Sequence, residues 1–232
     1  GDNWLPETWM LEGESEISGR KLNVPYPEQA DIMIVGMSDG RLGIIERDES
    51  ISHEKVACID ATRRLSHVLF DKTPVQVLSS DASRVRDALL VLLAADSFGG
   101  AKRCLDMCVD YAMTREQFGQ TIAHFQALKH QLANVAVDVE PGRGLYWYAA
   151  YAFDIRADDA ARVAASAKSH LSDRYVAAAR EAVQAHGGIG YTWEYPLHIW
   201  LKRAMFNRTY MGSSSIHRER VADLSDWKVS AE

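Results

Sequence analysis

Hydrophobic positions change their spacing near residue 80. Before it, short apolar runs stand between polar turns. Asp31–Val35 (DIMIV) and Leu42–Arg47 (LGIIER) flank Ser38-Asp39-Gly40, a hairpin signal. Ser66–Phe70 (SHVLF) runs into Asp71-Lys72-Thr73-Pro74, which reads as a strand end and turn. Together they predict a small antiparallel sheet or partial barrel.

After residue 80 the spacing is helical. Residues 83–115 form one long apolar-rich stretch containing LLVLLAA and Gly99-Gly100. Each glycine weakens a helix by roughly 1 kcal/mol relative to alanine, so the pair predicts a close helix crossing. Ile122, Phe125, Leu128, Leu132, Val135 and Val139 recur at intervals of three and four, an amphipathic face. Pro141-Gly142 breaks or kinks that helix. Further helices are predicted over about 144–155 and 159–185, with Gly187 as a C-terminal cap. Another runs from Pro196 to about Thr209, and a short one follows Ser215. The fold class reads as α+β: a small antiparallel β-domain over 1–79, then a bundle of long helices over 80–232.

Composition narrows the function. The chain is 47% apolar and 25% charged with a net charge of −6, an ordinary globular mixture without the basic stripe that nucleic acid requires. It has no polybasic block for an anionic membrane and no apolar run of transmembrane length. Cys104 and Cys108 sit one helical turn apart among Leu105, Met107 and Val109, which predicts buried thiols and no metal site. With Cys58 the thiols number three and cannot all pair, which fits a reducing cytoplasm.

Two stretches carry more information than the rest. Arg115-Glu-Gln-Phe-Gly119 leads to Ile122, Phe125 and Gln126, and Gln184-Ala-His-Gly-Gly-Ile-Gly-Tyr-Thr-Trp-Glu194 leads to Pro196. Each ends one helix and opens another. Gly187-Gly188 permits close approach to the backbone, and Arg115 offers a forked donor suited to pyrophosphate. Arg115 could equally pair with Glu116 or Asp110. His186 reads mainly as a helix C-terminal residue, Trp193 and Glu194 as packing or an interface pair, and His217 as a surface or phosphate-facing side chain. Neither a Walker loop nor a strand–GxGxxG–helix pattern is present.

REQFGQTIAHFQALKHQLA and QAHGGIGYTWEYPLHIWLKRA resemble the two C-terminal signatures of the flavin-dependent acyl-CoA dehydrogenases. The resemblance covers nearly the whole chain, with residues 10–75 similar to the family's middle β-domain and 80–225 to its C-terminal domain, which implies an up-and-down four-helix bundle. The family's N-terminal helical domain has no counterpart in this sequence. The resemblance implies that Arg115, Gln117 and Phe118, with Gln126 nearby, contact the adenine and pyrophosphate half of an FAD held largely by a neighbouring subunit. It implies the same for Gln184, Gly187 and Gly188. Gly212, Ser213 and Ser215 would touch the flavin of their own subunit, with serines where the family has Thr and Gln.

The sequence departs from the family at the reacting end. The catalytic glutamate usually precedes the glycine of Tyr-Glu-Gly-Thr, and here the stretch reads Tyr210-Met211-Gly212-Ser213. A thioether is no base at neutral pH. Relatives that move the glutamate place it near Leu89 or Leu90. Asp87 and Asp96 flank that position as weak candidates. The flavin-stacking tryptophan and the N5-bonding threonine of the middle domain fall at Asn23 and Pro25. These losses resemble the base-lacking subunits of heteromeric bacterial acyl-CoA dehydrogenases, several of which act on steroid side chains. The expectation is a subunit of a homo- or hetero-oligomer (dimer or tetramer) with a shared FAD site, acting on an acyl-CoA with an electron-transfer flavoprotein as acceptor. Two alternatives stand beside it: a self-sufficient homo-oligomer with a displaced base, and a flavin-free structural paralogue.

Overall fold

A computed structural model describes residues 11–225. The chain divides into two compact units at Arg86–Asp87.

The first unit holds two three-stranded antiparallel sheets. Strands β1 (Glu16–Pro25), β5 (Leu65–Pro74) and β4 (Ile51–Val56) form one, in the order β1-β5-β4. Strands β2 (Ile32–Gly36), β3 (Leu42–Glu46) and β6 (Gln76–Leu78) form the other, in the order β2-β3-β6. The predicted hairpin is β2–β3, paired from Ile32↔Glu46 to Gly36↔Leu42. Alternation buries Met33 and Val35 against Leu11, Ile17, Ile45, Val68 and Phe70, and leaves Ile32 and Ile34 outside. Gly43 has no room for a side chain, since a Cβ there would stand 2.7 Å from Val75.

Two expectations are corrected here. Asp71–Pro74 is not a turn: β5 continues through Pro74, because β1 pairs with it as far as Glu16↔Pro74. The local irregularity falls at Lys72, whose φ is 50° and whose N–H donates to Ser18 Oγ at 2.9 Å. Strands β1, β4 and the short β6 add to the predicted set. β1 carries a bulge at Asn23 and buries only Ile17, and β4 (ISHEKV) is largely exposed and so lacks an apolar rhythm.

The second unit is helical. α1 (Ala82–Thr114) is followed by a small hairpin, β7 (Glu116–Gln117) and β8 (Gln120–Thr121). α2 (Gln126–Val139), α3 (Gly142–Asp154), α4 (Ala160–His186), α5 (Leu197–Thr209) and α6 (Ser214–Asp223) complete it. Ile122 and Phe125 precede α2, so its buried face reduces to Val135 and Val139 with Leu132 partly covered.

α4 is the central helix and packs against α2, α3, α5 and α6. Its alanines (164, 165, 167, 178, 179 and 182) are buried and let neighbours approach closely. The partners fix the directions. Gly100 meets Tyr175 and Tyr111 stacks on His186, so α1 and α4 run parallel. Gln131 bonds Glu181 and Asp138 pairs with Arg174, so α2 runs against α4. α3 continues in the same sense, with Gly142 against Leu171 and Phe98; Pro141-Gly142 divides one leg of the bundle into two helices. α5 returns antiparallel, from Tyr195 beside His186 to Arg208 beside Lys168. The result is an up-and-down four-helix bundle following small antiparallel sheets. Gly100 explains half of the glycine pair, since a Cβ there would lie 2.2 Å from the Tyr175 ring.

Candidate functional site

The two signature stretches meet at one end of the bundle. The ring of Tyr111, one turn before Arg115, stacks on His186 at 4.3 Å. His186 is buried; its Nδ1–H donates to Ala182 O (2.8 Å), and the Tyr195 hydroxyl lies 3.2 Å from Nε2. Burial pushes its imidazole below the usual range, so it is held neutral and structural.

Around this stack, Arg115, Gln117, Phe118, Gln126, Gln184, Gly187 and Gly188 all reach solvent. Arg115 forms no ion pair with Glu116 or Asp110 among the described residues. Its carbonyl accepts from Ile122 N–H (2.8 Å), which closes the β7–β8 hairpin. Phe118 and Gly119 occupy the two tip positions with φ of 55° and 78°, the pattern of a two-residue turn that prefers Asn-Gly. A phenylalanine at positive φ is strained, and this one is 90% exposed, touching Phe125 edge-on. Neither strain nor burial within the chain accounts for it.

The same reasoning applies to the glycines. Gly187 (φ 62°) ends α4, its N–H donating to Gln184 O. A Cβ on Gly187 or Gly188 would meet nothing within 4 Å, so packing inside the chain does not require Gly188. Trp193 is 80% exposed, its ring tilted against His198 (centroids 4.5 Å apart) and lying under Lys202 Nζ (4.4 Å), which makes it a surface feature and not core packing.

The Tyr210–Ser215 loop lies elsewhere. It is tied to Lys168, 16 residues before Gln184 on α4 and so about 24 Å away along the axis. Met211 and Gly212 have φ of 59° and 99°. Met211 packs partly against the helical core. Ser213 caps α6, its Oγ accepting from Ile216 N–H at 3.5 Å and lying 2.9 Å from Ser215 Oγ, so both hydroxyls have local partners. His217 corrects the surface reading: it is fully buried, and its Nε2–H donates to Met211 O at 2.8 Å. A histidine beside a glycine-serine loop gives no sequence signal for such a bond.

The weak base candidates are both engaged. Asp87 pairs with Arg220 at 2.8 Å, both nearly buried. Asp96 accepts from Asn207 Nδ2 (2.7 Å) and pairs with Arg203 (3.4 Å). Leu90 is buried and Leu89 partly exposed. At the middle-domain position, Asn23 stands in a bulge of β1 at φ 56°, its N–H donating to His67 Nδ1 (3.3 Å), where a stacking aromatic would be needed. Lys168, Ser169 and Asp173 bond the Met211 loop and were legible only as polar residues on the apolar stripe of α4. Among the described residues no His, Cys, Asp and Glu group suits a metal ion, and no helix is long and apolar enough to cross a membrane.

An up-and-down bundle whose first and third legs end in exposed side chains and open backbone is the architecture of a dehydrogenase's C-terminal domain. Residues 91–224 match the family model "Acyl-CoA dehydrogenase, C-terminal domain", and the chain belongs to the acyl-CoA dehydrogenase family. It is 37% identical over 199 residues to the acyl-CoA dehydrogenase IpdE2 of Mycobacterium tuberculosis, covering 85% of this chain and 58% of that protein. A solved structure named for the electron transferring flavoprotein of Acidaminococcus fermentans superposes with a TM-score of 0.86 at 25% identity, covering 93% of this chain and 63% of that one. A variant of the Tcur3481-Tcur3483 steroid ACAD superposes at 0.83 with 27% identity, covering 92% and 60%. The chain thus spans about 58–63% of these relatives' lengths.

Proposed function

We propose that this chain is a subunit of an FAD-dependent acyl-CoA dehydrogenase, completing a neighbour's flavin site across the subunit interface without itself abstracting the α-proton. The observation that carries the reading is the separation of its two candidate sites. The Arg115–Gln126 and Gln184–Gly188 cluster stands about 24 Å along α4 from the Met211 loop. One chain therefore offers two half-sites, at opposite stations of the bundle, that suit the two ends of different FAD molecules.

The adenine-end residues fit the group. Arg115 is a forked, exposed donor, Phe118 a strained exposed ring, and Gly188 an open main chain with no internal reason to be glycine. FAD, when bound, supplies the hydride acceptor for desaturation at Cα–Cβ. This chain's Arg115 and Gln184 would hold and orient its adenosine diphosphate half. The ring-end residues fit poorly: Asn23 offers no stacking surface, Met211 no basic lone pair, and Asp87 and Asp96 are held by cations. A base from a glutamate-bearing partner subunit fills the gap. The acyl-CoA substrate is read as bulky, supported by the likeness to a structure named as a steroid ACAD, and an electron-transfer flavoprotein is the reading for the acceptor.

The test is Met211→Ala in the assembled complex, followed by α-proton exchange into deuterated solvent on an acyl-CoA substrate. Unchanged exchange with unchanged flavin content is expected. Loss of exchange with assembly and flavin intact would sink the idea.

A further inference from the structure

Polar side chains on one face of α4 grip the chain between α5 and α6. Lys168 is fully buried on the stripe that also carries Ala164, Ala167, Leu171 and Tyr175. Its Nζ donates to Gly212 O (2.8 Å) and Arg208 O (3.2 Å). The second of these carbonyls lies in the last turn of α5, where no helical N–H reaches it. Ser169 Oγ donates to Ser214 O (2.9 Å), and Ser214 Oγ donates to Asp173 (2.9 Å). From the other side His217 Nε2–H donates to Met211 O (2.8 Å). Two successive residues at positive φ, one of them methionine, are thus held from both flanks. Such backbone persists where the surroundings over-determine it.

We propose that Lys168 is a positioning residue: together with His217 it locks the Met211–Ser213 backbone into its left-handed turn and so fixes the surface this loop presents. What the loop faces rests on the flavin reading above; the clamp does not. An apolar side chain would fill the same slot without the desolvation of an ammonium, so packing alone does not call for lysine.

The charged groups acting on Lys168 are Asp173 on its own helix and Arg208 at the end of α5, while His217 on α6 reaches the same loop at Met211 O. Burial outweighs the attraction of Asp173 and pushes the amine down to about 8, with Arg208 adding to the fall. The closed turn therefore prefers the neutral amine, while opening rehydrates it. Between pH 7 and 9 the closed turn gains about tenfold over the open one.

Hydrogen exchange on the full chain, wild type against Lys168→Met, reads the clamp with or without flavin. In the variant, amides of 210–217 are expected to exchange at least about tenfold faster, with α1 amides unchanged. In the wild type, protection of 210–217 corrected for intrinsic rate rises about tenfold from pH 7 to 9, and in Lys168→Met it stays flat. Unchanged exchange of 210–217 in the variant overturns the proposal. If the variant fails to recover its helical circular dichroism, the wild-type profile decides, and a flat one overturns it. Wild type without flavin in the assembled complex would end the flavin reading and leave these results standing.

Discussion

Tyr111 and His186 stack with ring centroids 4.3 Å apart, one on the last turns of α1 and the other at the end of α4. The contact fastens the chain leading to Arg115 to the chain leading to Gly187-Gly188. It converts two distant sequence motifs into one surface. Tyr111→Ala is expected to cost about 1–3 kcal/mol in urea unfolding, less than a fully buried aromatic because Tyr111 is partly exposed. Flavin content of the complex should fall with it, whereas Tyr111→Phe, which keeps the stack, should retain both.

The adjacent glycines of α1 have opposite requirements. Gly100→Ala would drive a methyl group into the rigid Tyr175 ring at 2.2 Å and should destabilise by about 1–3 kcal/mol. Gly99→Ala meets nothing within 4 Å and should stabilise by up to about 1 kcal/mol through helix propensity. Urea midpoints of the two variants check the pair.

Phe118→Gly separates stability from function. Relief of a positive φ at the hairpin tip outweighs the entropy of glycine, giving about 0.5 kcal/mol of stabilisation. The exposed ring is lost with it, so flavin retention in the complex should drop. A variant with lower stability and unchanged flavin would contradict the assignment.

Asp87→Asn and Asp96→Asn should behave as structural variants. Asp87→Asn strands a nearly buried Arg220 and is expected to cost about 3 kcal/mol. Asp96→Asn should cost less, since Asp96 is a third exposed. Neither should lower the α-proton exchange rate of the assembled, folded complex.

Unfolding free energy should rise between pH 7 and 9. Burial pushes both Lys21 and Lys168 down to about 8 from 10.5, so the unfolded chain binds more protons across that window. Each lysine then adds about 1 kcal/mol by pH 9. Above pH 9 the sign reverses for Cys104 and Cys108. Burial pushes their thiols up to about 12, and stability present below the ordinary thiol range is lost as the unfolded thiols ionise. Chemical denaturation at pH 7, 8, 9 and 10 should show the maximum, and Lys168→Met should show a smaller rise.

The helices were legible because their apolar positions recur over long stretches, and the β2–β3 hairpin because Asp39-Gly40 separates two alternating runs. β4 was not, since an exposed strand such as ISHEKV carries no periodic burial. β1 was hidden because it buries only Ile17 and because a bulge at Asn23 resets its alternation. The Arg115–Gln126 and Gln184–Gly188 stretches, which we propose hold the adenine end of a flavin, stood out by residue type, because arginine and paired glycines keep their chemistry wherever the chain places them. The Lys168–Gly212 and His217–Met211 bonds could not: each joins a side chain to a backbone carbonyl, and a carbonyl has no sequence signature.

The central claim is tested most directly by the flavin absorbance per chain, measured on this protein alone and again after co-expression with a glutamate-bearing paralogue. The account predicts little flavin on the isolated chain and about one FAD per heterodimer, because each half-site needs a partner's residues. One FAD per chain on the protein alone would mean a self-sufficient site and would contradict it.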